Sequence, residues 1–486
     1  MRSLPKFLFL SGIIALGVKQ AYALPLDLGG VFGVDTHQLS NVCRTTDTVT
    51  KANPKTGTQG IDTNDCGAGF QTYILKLNPN IIVNDGVTLK GEISSGYIRG
   101  GYLGDNSANN SDGSGNNSYF FSTPAQRSGL NVNQMYMEIY AETALVKIGR
   151  MSKNYGMGMV FNDGSQTWDR FVTIYDGVQA EMKIGNFSVT PHYAKISSYN
   201  GSQAAPAGNY DVRELGLIAK YDNPDRDLIV SLLYAKRSSE RRNSFYNSNT
   251  DAATIDRGAT SVTVIEPYAS YKWKKLTVEA EGTIQSGNYG TVYTAADGAS
   301  KIATKAFIIK GNYELNPNWD TNFMLGQVDG DKGQTSKFEA SYLHPNFQVA
   351  DLMFRYYYPG FTEGSRSIFD SSITNTRFYR LGANYKSDKW TWKGALIMAK
   401  AMETAQAGSR AYHHEEGYSF NATNKQSNNL GYEIDFGFDY KWNPNVTISG
   451  YYGYWKVGDY YAFTNTNKEL SLANVHGGGL RATLEF

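Results

Sequence analysis

Tyr432-Glu433-Ile434-Asp435-Phe436-Gly437-Phe438-Asp439-Tyr440-Lys441 is the stretch that decides the fold. Tyr432, Ile434, Phe436, Phe438 and Tyr440 form one apolar set with an aromatic at each end. Glu433, Asp435, Gly437, Asp439 and Lys441 form the other, charged set. An extended strand separates the two sets onto opposite faces, whereas a helix would mix them around its circumference. The same alternation recurs along the chain. Leu276, Val278, Ala280 and Ile284 face away from Thr277, Glu279, Glu281 and Gln285. Val87, Leu89 and Ile93 alternate with Thr88, Lys90, Glu92 and Ser94. Tyr379, Leu381, Ala383 and Tyr385 alternate with Arg380, Asn384 and Lys386, and Leu480, Ala482, Leu484 and Phe486 with Arg481, Thr483 and Glu485.

A soluble sandwich also alternates, so the connectors carry the next step. Short turns (Ala141-Glu142-Thr143, Lys272–Lys275, Ser387-Asp388-Lys389, Trp442–Asn445) take turns with long polar loops near 98–129, 152–170, 237–260, 359–375 and 401–429. Short turns at one end and long loops at the other are the habit of a transmembrane antiparallel β-barrel. Trp390, Trp392, Tyr451, Tyr452, Tyr454 and Trp455 cluster at strand ends, where aromatic belts meet lipid headgroups. Nineteen candidate runs lie between 70–78 and 474–486, among them 335–343 and 347–358. Single-chain bacterial barrels use an even number. The expectation is an all-β barrel of about 18 strands over 70–486, or 20 if Leu26–Asp35 adds one.

Composition points the same way. With 35 Tyr, 23 Phe and 50 Gly against 13 Pro, and uniform texture from Gly69 to Phe486, one large architecture is favoured over several soluble domains. The 46 basic and 45 acidic residues leave a net charge of +1, so bulk charge implies no nucleic-acid partner. Arg2 and Lys6 precede the apolar Phe7–Val18, and Ala21-Tyr22-Ala23 has the small-x-small form of a cleavage site. Those 12 apolar residues fall short of the roughly 20 that a spanning helix needs. Residues 1–23 therefore read as an export signal. No second long apolar run follows, which excludes helical inner-membrane spans. In the N-terminal segment 24–69, Cys43 and Cys66 share a Gly/Asn/Thr/Asp-rich stretch. A disulfide closing that loop is expected in an exported protein; a metal pair is the alternative.

The final strand, stopping on Phe486, resembles the assembly signal of bacterial outer-membrane barrels, with Arg481 where many carry Gly. The resemblance implies the cell outer membrane as location. It also implies the barrel-assembly machinery, outer-membrane lipid and lipopolysaccharide as partners. The alternation as a whole is similar to that of general and substrate-specific porins. Gly149-Arg150, Trp168-Asp169-Arg170 and Tyr175-Asp176-Gly177 together resemble a stretch of the alginate-export barrels. That group exports an anionic polysaccharide through an 18-stranded barrel with an Arg-rich lumen, and this chain lacks the Arg excess.

In lipid the apolar face must point outward and the charged face line the interior. Candidate lumen or constriction residues are Glu138, Arg150, Glu279, Glu281, Asp351, Arg355, Arg380, Glu433, Asp435 and Asp439. The two signs nearly balance. Carboxylates at Glu279, Glu281, Glu433, Asp435 and Asp439 would attract cations, or pair with Lys and Arg on neighbouring strands. Tyr136, Tyr175 and Tyr451 offer stacking faces for sugars or else sit at the rim. The Gly-rich 152–170 and the Ser/Gly/Asn-rich 98–129 are candidate inward loops.

Little points to catalysis. His192 beside Thr190 has no Gly-x-Ser-x-Gly context. His413-His414-Glu415-Glu416 reads as a solvated loop run, with surface metal binding as the alternative. No cofactor is implied. Only about 45 residues precede the first good run, too few for a siderophore-transporter plug. The expected function is passive, weakly selective diffusion of small hydrophilic solutes or ions. The alternatives are a loop-mediated adhesin or structural barrel, and a polysaccharide or sugar-specific exporter. Alternation does not distinguish a monomer from a homotrimer.

Overall fold

The computed structural model describes residues 25–42, 49–53, 57–61, 67–96, 99–103, 129–197, 212–239, 244–245, 255–256, 260–288, 301–334, 337–355, 372–414, 417–466, 469 and 472–486. The expected export signal, the cysteines Cys43 and Cys66, and most of 98–129 and 237–260 lie outside them.

Eighteen long strands form one sheet. In chain order they are β1 Leu26–Ser40, β2 Ala68–Asn84, β3 Val87–Ser95, β4 Leu130–Tyr140, β5 Ala144–Ser152 and β6 Ile174–Ile184. Next come β7 Phe187–Ser197, β8 Val212–Asn223, β9 Leu228–Ser239, β10 Ser261–Trp273, β11 Leu276–Asn288 and β12 Lys301–Asn316. The last are β13 Trp319–Val328, β14 Thr376–Ser387, β15 Trp390–Ala401, β16 Asn429–Lys441, β17 Val446–Val457 and β18 Val475–Glu485. Two short segments, Gly100–Tyr102 and Lys337–Phe338, pair at the sheet's margin. Each long strand runs antiparallel to its sequence neighbour. The circle closes where β1 pairs with β18 on one side and β2 on the other, for example Val34 with Ala482 and Tyr73. The amide of Gly30 donates to the Phe486 carbonyl at 2.8 Å, and that of Phe486 to the Gly30 carbonyl at 3.1 Å.

The number 18 is reached by a different route from the sequence expectation. Leu26–Ser40 is a wall strand, so the barrel begins well before residue 70. The described residues of the runs 335–343 and 347–358 supply no wall strand. Beyond the short Lys337–Phe338 segment, residues 339–355 are irregular chain folded inward. Their apolar residues bury against a loop core rather than alternating across a sheet, and a short apolar run does not tell these apart.

On β16, Ile434 and Phe436 are 51% and 54% exposed on the outer wall, while Glu433 inside is fully buried. Around the short-turn end, Trp390 stacks on Trp392 at 5.2 Å and lies 4.5 Å from Tyr440, and Trp319 lies 4.9 Å from Tyr385. This is an interfacial belt. Trp455 does not belong to it: its indole is buried in the lumen and donates to the Leu430 carbonyl at 3.2 Å. A closed antiparallel barrel with an apolar, aromatic-girdled exterior is the form in which bacterial chains cross the outer membrane, and that is where this one resides.

A cation on the outer wall near mid-strand has no water to solvate it. Ile434→Arg should destabilise the barrel by about 2–4 kcal/mol, read by urea unfolding in lipid vesicles, whereas Ile434→Leu should leave the midpoint unchanged.

Candidate functional site

The inward face alone would leave a wide lumen, but two chain segments cross it. The first runs from Lys153 to Thr173 between β5 and β6; the second covers the described residues 329–334, 337–355 and 372–375 between β13 and β14.

The first segment is tied to the wall sector by sector. Lys153 reaches Glu214 on β8, at 3.3 Å. The Tyr155 hydroxyl and Ser231 on β9 are 3.0 Å apart. The Met157 amide donates to Glu281 on β11. On the opposite wall, Lys76 on β2 donates to the Gln166 carbonyl at 2.7 Å, and Arg99 donates to the Gly164 carbonyl at 2.8 Å and to Glu92 on β3 at 2.9 Å. Arg170 donates to Thr72 at 2.7 Å, and the Trp168 indole to Thr483 on β18 at 3.0 Å. The glycines permit these approaches. Gly156 has φ +54°, and a side chain there would collide with the Glu281 carboxylate. At Gly33 on β1 a Cβ would come within 2.7 Å of the Trp168 ring.

The two segments meet mid-lumen. The His344 amide donates to the Met159 carbonyl at 2.8 Å, and Asn346 donates to Asn162 at 3.1 Å and to the Phe171 carbonyl at 2.8 Å. The second segment is held by carboxylates: Leu352 and Met353 amides each donate to Glu433 at 2.6 Å, and the Asp351 amide to Asp435 at 3.2 Å. Met159, Leu343, Leu352 and Met353 pack with Ile308, Phe378, Ile397 and Trp455 of the wall, so this sector of the lumen is a closed apolar core.

Below the first segment, toward the short turns, a vestibule of about 460 Å³ remains. Lys147, Lys153 and Lys220 line it together with Asp163 and Glu181, and Tyr136, Tyr155 and Tyr268 supply aromatic edges. At its roof, the buried Glu214 also accepts from the Tyr175 hydroxyl at 2.7 Å and Arg237 at 2.6 Å, with the His192 ring nitrogen 3.0 Å away. Burial pushes the Lys153 ammonium down to about 8 against the opposing pull of Glu214. Burial also pulls His344 down to about 4, and nearby Arg99 adds to this, so the junction between the segments stays uncharged at neutral pH.

The sequence-predicted residues fall into three groups. Glu138, Glu279, Glu281, Arg380, Glu433, Asp435 and Asp439 line the wall from inside. Many are paired: Glu138 with Lys90 at 2.9 Å and Lys147 at 3.2 Å, Glu279 with Lys310 at 3.3 Å, Asp439 with Lys393 at 2.5 Å, and Arg380 with Asn322. Asp351 and Arg355 are inside, but on the second inward segment; the Arg355 guanidinium donates to the Asp351 carbonyl at 2.9 Å. Arg150 is the correction. It shares the parity of Ile148, projects from the outer wall and pairs with Asp176 at 2.7 Å. Of the tyrosines, Tyr175 is buried in the Glu214 network and Tyr451 lies 2.7 Å from His37. Lys76, Arg99, Lys153 and Arg170 were missed; Lys76 was signalled by alternation within β2.

The histidine run also differs from expectation. His414 is buried, accepts from the Asp331 amide at 2.7 Å, and is held down to about 3 by burial. Glu415 and Glu416 lie outside the described residues. Among the described residues no group of three or more His, Cys, Asp or Glu could hold a metal ion.

Glu214 neutralises several cations at once. Glu214→Gln should therefore destabilise the barrel by about 3–5 kcal/mol, the cost of leaving buried charges uncompensated. Lys153→Met should cost less, because Arg237 still balances the carboxylate; urea unfolding in vesicles reads both.

No family model matches the chain, and no curated protein matches it. Solved structures are similar to it. Pseudomonas aeruginosa OccK2 (OpdF) is 10% identical over 95% of this chain and 98% of that one, with a TM-score of 0.48. OccK11 (OpdR) of the same organism is 9% identical over 95% and 96%, TM-score 0.48. A loop-deletion mutant of OmpT, an outer membrane protein of Vibrio cholerae, is 11% identical over 96% and 100%, TM-score 0.36.

Proposed function

We propose that this barrel is a porin-like channel passing small hydrophilic solutes by diffusion, with the Lys153–Thr173 segment as its constriction. The observation that carries this reading is the polar vestibule of about 460 Å³ beneath a segment anchored to opposite walls. A structural barrel has no need of a polar cavity shaped by a braced loop; a channel does, because the brace sets the size limit. Selectivity should be weak. Lys147, Lys153 and Lys220 face Asp163 and Glu181 in the vestibule, and wall charges such as Glu279 and Asp439 are already paired.

Planar-bilayer recording of the refolded mature protein tests the reading. Stable unitary openings with a small reversal potential under a salt gradient are expected. Silence from protein shown to be folded by its heat-dependent gel mobility would overturn it, in favour of a barrel working through its outer loops.

The second inward segment gives an internal check. Glu433→Ala removes the acceptor for the Leu352 and Met353 amides, which should loosen that segment and raise unitary conductance and open-channel noise. An unchanged trace would place the limiting passage elsewhere.

A further inference from the structure

The outer wall carries a feature that neither the channel nor the lipid belt explains. Near the long-loop ends of β14–β17, where the outer leaflet's headgroups begin, the wall has a groove of about 690 Å³. Arg377 and Lys400 line it nearest the loops, and Tyr379, Met398, Tyr432 and Lys456 form the next row toward mid-strand. Arg377 and Lys400 are directly opposed across β14 and β15. One residue pair nearer mid-strand, Tyr379 opposes Met398, which opposes Tyr432, which opposes Lys456.

Like charges placed directly opposite each other destabilise a sheet unless an anion lies between them. The protein supplies little to that end. Lys400 and Lys456 make no ion pair among the described residues, and Arg377 donates only to the neutral Gln327 at 2.9 Å. Asp459 at the groove's upper edge is its one acidic lining residue. The basic character extends beyond the groove, with Lys305 and Lys236 on the outer faces of β12 and β9, also toward the long-loop end. Directly below Arg377 and Lys400, and beside Lys456, the surface turns apolar: Tyr379 is 56% and Met398 51% exposed.

Cations above and beside an exposed aromatic and thioether patch match a molecule with an anionic head and apolar chains. Its position at the membrane boundary matches a lipid and not a soluble anion. We infer that this groove binds a phosphorylated glycolipid of the outer leaflet. Its phosphate would sit between Arg377, Lys400 and Lys456, and its acyl chains along Tyr379, Met398 and Tyr432. Arg and Lys together suit a phosphate, the first by a bidentate fork and the second as a point charge. The inference rests on the membrane position and not on the channel reading, so it stands or falls apart from conductance.

The test uses purified full-length mature protein in detergent, with lipid A as probe, and binding followed by native mass spectrometry. Lipid A bearing both phosphates should bind at least about tenfold more tightly than its dephosphorylated form, and the preference should shrink as salt rises. The triple variant Arg377→Gln/Lys400→Gln/Lys456→Gln should lose that preference. A control triple at the short-turn end, Lys272→Gln/Lys274→Gln/Lys389→Gln, should keep it. Heat-dependent gel mobility confirms that each variant is folded. If the groove triple does not fold, Lys400→Gln alone should lower the affinity about threefold. Equal binding of the two lipid A forms, wild-type affinity in a folded groove variant, or equal affinity for phosphatidylglycerol would each overturn the inference.

Discussion

Every peptide group of a chain lying in hydrocarbon must find its hydrogen-bond partner within the protein. The pairing of Leu26–Ser40 with both Ala68–Asn84 and Val475–Glu485 is how this sheet meets that requirement, because it leaves no edge. The rest follows from closure. With one face committed to lipid, the two-residue period sends every second side chain into water or into protein. The charged residues of the Tyr432–Lys441 strand then have only the interior to occupy.

Closure also creates a difficulty that the inward segments resolve. A wall of this many strands encloses more space than its own side chains can fill. The Lys153–Thr173 segment and the described residues 339–355 enter with apolar residues of their own, Met159, Phe161, Leu352 and Met353, and with backbone amides in need of acceptors. Glu281 and Glu433 supply those acceptors. Carboxylates that sequence reading assigns to ion conduction thus spend part of their hydrogen-bonding capacity holding chain in place. A lumen must be polar for water, and the same polarity lets a loop be fastened to it.

Much of this was legible in the sequence, for a reason that also marks the boundary of the legible. The period of two is a local signal. Glu433 inside and Phe436 outside could be read from ten residues, as could the turn at Ser387-Asp388-Lys389 and the inward tendency of the Gly/Met-rich 152–170. Contacts set by the closed circle could not. Nothing near Lys153 foretells Glu214, 61 positions away, and the buried state of His414 depends on Asp331 from another loop. Runs such as 347–358 imitate strands because a loop that packs in a core needs the same apolar residues as a strand that lies against lipid. Arg150 lies outside for a simpler reason, also local: its parity follows the exposed Ile148, and its charge is met on the outer wall by Asp176.

The bonds from Trp168 to Thr483 and from Thr167 to Glu485 span more than 300 positions of sequence and end on the final strand. That strand takes its place only when the circle is joined. The Lys153–Thr173 segment therefore lacks part of its anchorage until assembly is finished, since its last attachment points are among the last residues to arrive. Pairings this distant are slow to form because so much chain entropy must be lost first. The fastening of that segment thus serves as a record of completed closure: a barrel left unjoined between Leu26–Ser40 and Val475–Glu485 leaves it without its contacts to Thr483 and Glu485.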